Sequence, residues 1–235
     1  MSHRVAVFIL ALVFSSAVDA QLDKIIGGLG SRNNPSDAKT ASGLKEALQI
    51  GTDHAVDFTG KPDGYFKNEA IKILLPDKLR TAEKGLRLAG MGGKVDEFEL
   101  SMNRAAEKAA PAARAIFKEA LTAMTFDDAR KILIGGDTSA TEYFKSKTSD
   151  KLTTAFRPTV ESTMADSGVV TQYKQLTSGL ASLPFGKSAN FDITDYVVGK
   201  ALDGLFFMLG QEEKKIRTNP TAQITPLLKD VFGKR

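Results

Sequence analysis

The chain has 235 residues and a net charge of +4, from 32 basic and 28 acidic side chains, with two histidines and no cysteine. That composition excludes disulfides, thiol nucleophiles and cysteine-ligated metals, so packing alone must hold the fold. Basic and acidic residues are interleaved, which argues against a nucleic-acid partner, whose binding surface needs a basic stripe with aromatics among it.

The first 20 residues read as a secretory signal peptide. Met1–Arg4 is a short basic start, Val5–Phe14 is apolar, and Val18 and Ala20 are the small residues that precede cleavage. The apolar run is shorter than the roughly 20 residues a spanning helix needs. Cleavage removes Arg4 and Asp19 together and leaves the net charge unchanged. The expectation is therefore an exported protein, periplasmic or extracellular, with no transmembrane anchor after cleavage. Asn34-Pro35-Ser36 and Asn219-Pro220-Thr221 are discounted as glycosylation sites by their prolines, which points toward a bacterial periplasm.

Residues 21–37, with Gly27, Gly28, Gly30, Asn33, Asn34 and Pro35, read as a flexible leader. Residues 38–235 then read as a single helical domain. Ala38–Phe58 is the first helix, with Leu44, Leu48, Gly51, Ala55 and Phe58 in one stripe and His54 at its edge. Pro62-Asp63-Gly64 signals a turn. Ile71, Ile73 and Leu75 alternate with Lys72 and Leu74, a short strand pattern that ends at Pro76. Such a strand needs a partner elsewhere in the chain or in a second copy; otherwise it is an extended connector.

From Asp77 the pattern is almost wholly helical. Asp77–Ala89, Val95–Ala109 and Ala112–Met124 are helices, with Pro111 at a kink or a first turn. Thr125-Phe126-Asp127-Asp128 resembles a capping box with aspartate at its fourth position, and Gly135 and Gly136 stop the helix that follows. Thr138–Lys147 and Ser149–Asp166 read as two helices, with Pro158 kinking the second and Gly168 ending it. Val169–Leu180 is helical, Leu183–Asn190 is a loop, and Ala222–Phe232 is a short terminal helix. The fold class is all-α, a compact array of about ten helical segments with at most one or two short strands near Ile71–Leu75.

The central helix is expected at Asp192–Pro220, with Asp192 as N-cap, a staple from Phe191 to Tyr196, and Pro220 as its stop. On a helical wheel, Leu202, Leu205, Leu209 and Ile216 lie within about 40° of Val198, and Glu212 lies inside the same stripe. Glu213 and Arg217 sit on its shoulder, with Asp203 farther round, and Phe207 lies opposite between Lys200 and Lys214.

Several segments together resemble one family. They are Gly64-Tyr65-Phe66 with Ile71–Pro76, Met102–Glu107, Met124–Ala129 with Ile132-Leu133 and Gly135, Ala140–Phe144, Ala201–Phe206 and Glu212–Pro220. They resemble the exported bacterial family catalogued as domain of unknown function 4197, over nearly the whole mature chain. The resemblance implies a helical, exported, single-domain protein. It implies no activity and supplies no catalytic residues.

His54 is the one histidine after the signal peptide, so a site built on several histidines is excluded. No Gly-x-Ser-x-Gly elbow supports a triad through His54, and no Asp-x-Asp-x-Asp-Gly loop suggests calcium. Neither a metal nor a cofactor is implied. A polar cluster of Glu212, Glu213, Arg217, Asp203, Asn103 and Glu107 is the place to look. Its structural reading is an ion-pair network tying the central helix to its neighbours. Its functional reading is a pocket in which carboxylates shift each other's pKa. Three functions follow: a non-catalytic exported protein binding a protein partner or small-molecule ligand in the cell envelope, an enzyme using Glu or Asp as acid–base with Arg as an anion clamp, or a carrier of an apolar ligand.

Overall fold

The structure is a computed structural model that describes residues 35–168, 171 and 192–218. Helix α1 runs Pro35–Gly60. A 3-10 turn, Asp77–Leu79, leads into α2, Arg80–Leu88, followed by α3, Gly92–Ala109. A second 3-10 turn, Ala110–Ala112, joins α3 to α4, Ala113–Ala123. Then come α5, Phe126–Ile134, α6, Ser139–Asp166, and α7, Ile193–Thr218. The all-α class is as expected, and no strand occurs among the described residues.

Several elements differ from the sequence reading. Residues 35–37 open α1 instead of ending a leader. A proline in the first helical turn gives up an N–H that has no intrahelical acceptor, so Pro35 starts the helix at no cost in hydrogen bonds. Pro111 lies in the 3-10 turn between α3 and α4, which separates two helices. The two helices expected across residues 138–166 are one. Phe144, Thr148, Leu152, Phe156, Val160 and Met164 recur every four residues and are all buried. That unbroken stripe carries α6 through Pro158, although proline removes one ladder bond. Thr148 is accommodated by donating its hydroxyl to the Phe144 carbonyl one turn back.

Other local signals hold. Thr125 and Asp128 form the reciprocal capping box of α5: the Thr125 hydroxyl accepts from the Asp128 amide, and the Asp128 carboxylate accepts from the Thr125 amide. The Thr125 hydroxyl lies 2.7 Å from the Asp128 carboxylate and donates to it, and this contact first and the Thr125 amide second hold the Asp128 carboxyl below the usual aspartate range. Gly168 takes φ of +70° at the end of α6, where a side chain would be strained. Asp192 caps α7 by accepting from the amides of Thr194, at 2.7 Å, and Asp195, at 3.4 Å. Phe191, Pro220, Leu183–Asn190, Ala222–Phe232 and, apart from residue 171, Val169–Leu180 lie outside the described residues.

Helix α6 shares the centre with α7. It packs along α3 and α7 and also meets α4 and α5. The three-helix joint is aromatic. Phe117 of α4 meets Phe144 of α6 edge-on at 5.2 Å between ring centroids and Phe206 of α7 at 6.2 Å. Alanines 105, 106, 109, 110 and 113 are buried where α3 and α4 approach their neighbours. On α1, Leu44, Leu48, Gly51 and Ala55 are buried, as their spacing predicts. A Cβ on Gly51 would meet the Ile216 side chain at 3.4 Å, so α1 lies close to the last turns of α7.

Gly204 controls a tighter approach. The ring of Tyr65 is fully buried against α7, and its hydroxyl donates to the Ala201 carbonyl at 2.6 Å. A Cβ on Gly204 would lie 2.5 Å from Tyr65 Cε1. Gly204→Ala should therefore lower the unfolding free energy by about 1–3 kcal/mol through overpacking. Gly199→Ala, on the same helix with open space around it, should raise it by about 0.5–1 kcal/mol. Urea denaturation of the two variants beside the parent chain checks both signs.

Candidate functional site

The residues proposed as one polar cluster sit at separate places, and each has its own structural partners. Glu213 and Arg217 form the first place. Successive turns of α7 carry them side by side, and both side chains are about 5% exposed or less. The Glu213 carboxylate reaches the start of α6. Its Oε1 accepts from the Ala140 amide at 2.9 Å, and its Oε2 accepts from the Thr141 amide and hydroxyl, both at 2.8 Å. Thr138, at the N-cap position of α6, makes no side-chain cap of its own. A glutamate 75 positions later in the chain thus performs the capping function.

Arg217 answers at the opposite pole. Its Nε and Nη2 donate to Glu213 Oε1 at 3.0 and 2.7 Å, and Nη2 also donates to the Ile132 carbonyl in the last turn of α5. The anion therefore faces a helix N-terminus and the cation a helix C-terminus, the arrangement each macrodipole favours. The pair locks the α5–α6 corner onto α7.

Glu107 forms the second place. It is 3% exposed. Its Oε1 accepts from the amides of Tyr65 and Phe66, at 3.0 and 3.1 Å, and its Oε2 accepts from Arg104 Nη1 at 2.6 Å. Arg104 continues to Asp63 at 2.6 Å, and Lys67 pairs with the same aspartate at 2.8 Å. The Lys67 and Arg104 contacts, in that order, hold the Asp63 carboxyl below the usual aspartate range. Stability from this pairing is complete above that range and fades as the pH falls through the lowered value. Asp63 adopts φ of +67°, so the Pro62-Asp63-Gly64 signal is a left-handed turn held by charge. Burial first, and the nearby Glu107 carboxylate second, push the Tyr65 phenol up, and it stays protonated.

Asn103, one turn before Glu107 on α3, forms the third place. It treats the extended segment as a strand partner would. Its carbonyl oxygen accepts from the Ile73 amide and its Nδ2 donates to the Ile73 carbonyl, both at 2.8 Å. The Leu75 amide donates to Glu99 at 3.3 Å. The short strand pattern thus becomes an extended connector satisfied by helix side chains.

Glu212 and Asp203 are separate again. Glu212 is partly exposed, 3.3 Å from His54 Nδ1 and 2.6 Å from Lys215. The wheel placed it inside the apolar stripe and Glu213 on the shoulder, yet Glu213 is the buried one. The cause is enclosure: the shoulder of α7 meets the α5–α6 corner, while the stripe near its end faces the edge of α1. Asp203 is exposed, 3.7 Å from Lys200. Asn103 and Glu107 share a task, holding residues 65–75, and Glu213 and Arg217 share another. The six do not converge on one pocket.

An open concavity lies elsewhere. A groove of about 540 Å³ lies between the extended segment and α7, with Ile71, Leu75 and Gly204 in its lining. Leu74 and Phe207, 50% and 44% exposed, are its apolar walls. Lys72, Arg80 and Lys200 stand with Asp77 and Asp203 around it, and Tyr196 of α7 reaches the Leu74 carbonyl of the extended segment. Of the six polar residues named from sequence, Asp203 alone lines it. A signal for the groove was present: Leu74 occupies a solvent-side position of the Ile71–Leu75 alternation, and Phe207 lies opposite the stripe of α7. Among the described residues, no group of three or more His, Asp or Glu side chains is placed to hold a metal ion.

Residues 34–233 match the family described as "Protein of unknown function (DUF4197)". The chain belongs to that family. The matched range contains both buried glutamates, the extended connector and the groove, so these features lie in the family's domain. No curated protein and no solved structure matches the chain.

Removing one partner of the Glu213–Arg217 pair strands a buried charge. Arg217→Met should lower the unfolding free energy by about 3–5 kcal/mol, and thermal melting should show a loss of several degrees. Glu213→Gln should cost a similar amount, and the double variant should cost less than the two summed. An unchanged melting temperature for Arg217→Met would contradict the buried pair.

Proposed function

We propose that this is a non-catalytic exported protein of the cell envelope that docks a partner in the groove between Ile71–Leu75 and α7. The observation that carries the proposal is the pairing of exposed Leu74 and Phe207 across a concave surface. An isolated exposed leucine needs no explanation, but apolar side chains gathered in a cleft with charged neighbours mark a contact surface. The sequence adds the export half of the reading through the signal-like residues 1–20. No helix among the described residues is long and apolar enough to cross a membrane.

The two alternatives from sequence have less support. An acid–base enzyme needs a carboxylate free to take a proton from a substrate. Glu107 and Glu213 have both oxygens engaged, by two backbone amides each and by an arginine. A carrier of an apolar ligand encloses most of its cargo in an apolar cavity. This groove is not enclosed, and five charged residues line it.

Two measurements test the proposal. Mass spectrometry of the protein exported by its host should show cleavage after Ala20, and a chain that keeps Met1 would refute the export half. A photo-reactive phenylalanine analogue at position 207 should give a cross-linked adduct of defined mass in living cells, suppressed by Leu74→Glu. The same analogue at Phe126, which is 40% exposed on α5, should not give that adduct. Equal labelling from both positions, or none from position 207, would refute docking in the groove.

A further inference from the structure

The extended segment has two edges with different fates. Along the edge facing α3, Ile73 is bonded through both its amide and its carbonyl to Asn103, and the Leu75 amide is bonded to Glu99. In extended backbone, successive residues direct these groups to opposite edges. Lys72 and Leu74 therefore present theirs to the other edge, where the Tyr196 hydroxyl of α7 donates to the Leu74 carbonyl at 3.0 Å. On that edge the Lys72 carbonyl and the Leu74 amide have no hydrogen-bond partner among the described residues. An acceptor on one residue and a donor two residues later make the pair that a single residue of a parallel strand fills. Its N–H donates to the first, and its carbonyl accepts from the second.

Charge decides what kind of strand fits. Arg80 faces Asp77 at 2.9 Å and Lys200 faces Asp203 at 3.7 Å. The Lys72 ammonium lies 4.8 Å from the centre of the Phe66 ring, and no carboxylate among the described residues pairs with it. Among the described residues, one positive charge without a carboxylate partner thus stands beside the open part of this edge, with Leu74 and Phe207 as apolar contacts. We infer that the groove takes an extended peptide, running parallel to Lys72–Leu74 and carrying acidic side chains among apolar ones. Backbone pairing supplies its affinity, and the Lys72 charge with the two apolar walls supplies its selectivity. This inference rests on the reading of the groove as a docking site and adds the class of partner.

The test is nitrogen-15 NMR of the full mature chain, read at the Leu74 amide. The probe is an equimolar mixture of N-acetylated hexapeptides in which Asp or Glu alternates with Val, Leu or Phe. It should move the Leu74 resonance saturably at about 1 mM or below. A mixture with Lys at the acidic positions, and the acidic mixture N-methylated at its apolar residues, should each bind at least about tenfold more weakly. Lys72→Glu should reverse the preference between the acidic and basic mixtures. A Leu74 amide that does not respond to the acidic mixture overturns the inference, and so does unchanged binding after N-methylation. If cross-linking from position 207 persists in either case, strand pairing alone is lost and the groove remains a docking site. If the cross-link is absent too, the reading of the groove falls with it.

Discussion

A buried amide without an acceptor costs on the order of 1–3 kcal/mol, and this chain buries amides where no helix ladder reaches them. The first turn of α6, the turn at Tyr65 and Phe66, and the connector at Ile73 all face this problem. Each is solved by a polar side chain carried on a helix: Glu213 for Ala140 and Thr141, Glu107 for Tyr65 and Phe66, and Asn103 for Ile73. The two glutamates bring a second constraint, because a buried carboxylate must itself be compensated. Arg217 and Arg104 provide that. The remaining packing depends on these joints. The Tyr65 turn sets the ring against Gly204, and the α5–α6 corner sets the stripe of α6 against α3 and α7.

This logic explains which parts of the fold were legible in the sequence. The apolar stripes of α1 and α7 follow from spacing alone. So do the capping box at Thr125 and Asp128 and the cap at Asp192, because their geometry is local. The break expected between Lys147 and Ser149 misled because its cue was local, while six buried residues at four-residue spacing, Thr148 among them, carry α6 through that point as one helix. The polar cluster was half legible. Periodicity puts these residues on helix faces, but it cannot distinguish a carboxylate facing water from one facing a distant backbone. Glu212 and Glu213 are adjacent, and only the position of the α5–α6 corner decides which is buried. That position depends on contacts between residues far apart in sequence.

The same constraint shapes the groove. Asn103 and Glu99 hold one edge of Ile71–Leu75 and leave the other edge facing α7. Ile71, Ile73 and Leu75 enter the core, so Lys72 and Leu74 point outward. The groove therefore follows from how the connector is held. The polar residues singled out in the sequence bind a helix start, the Tyr65 turn and the connector, or stay at the surface, and Leu74 and Phe207 stand on the concave face.

Amide hydrogen exchange, read residue by residue in the native protein, tests the central claim most directly. The amides of Tyr65, Phe66, Ile73, Ala140 and Thr141 belong to no helix ladder, yet each donates to a buried side-chain acceptor. They should exchange as slowly as the ladder amides of Met102 and Leu205, through openings close to global unfolding. Exchange at the rate of exposed turn amides such as Gly136 would contradict the claim that helix-borne side chains hold these segments in place.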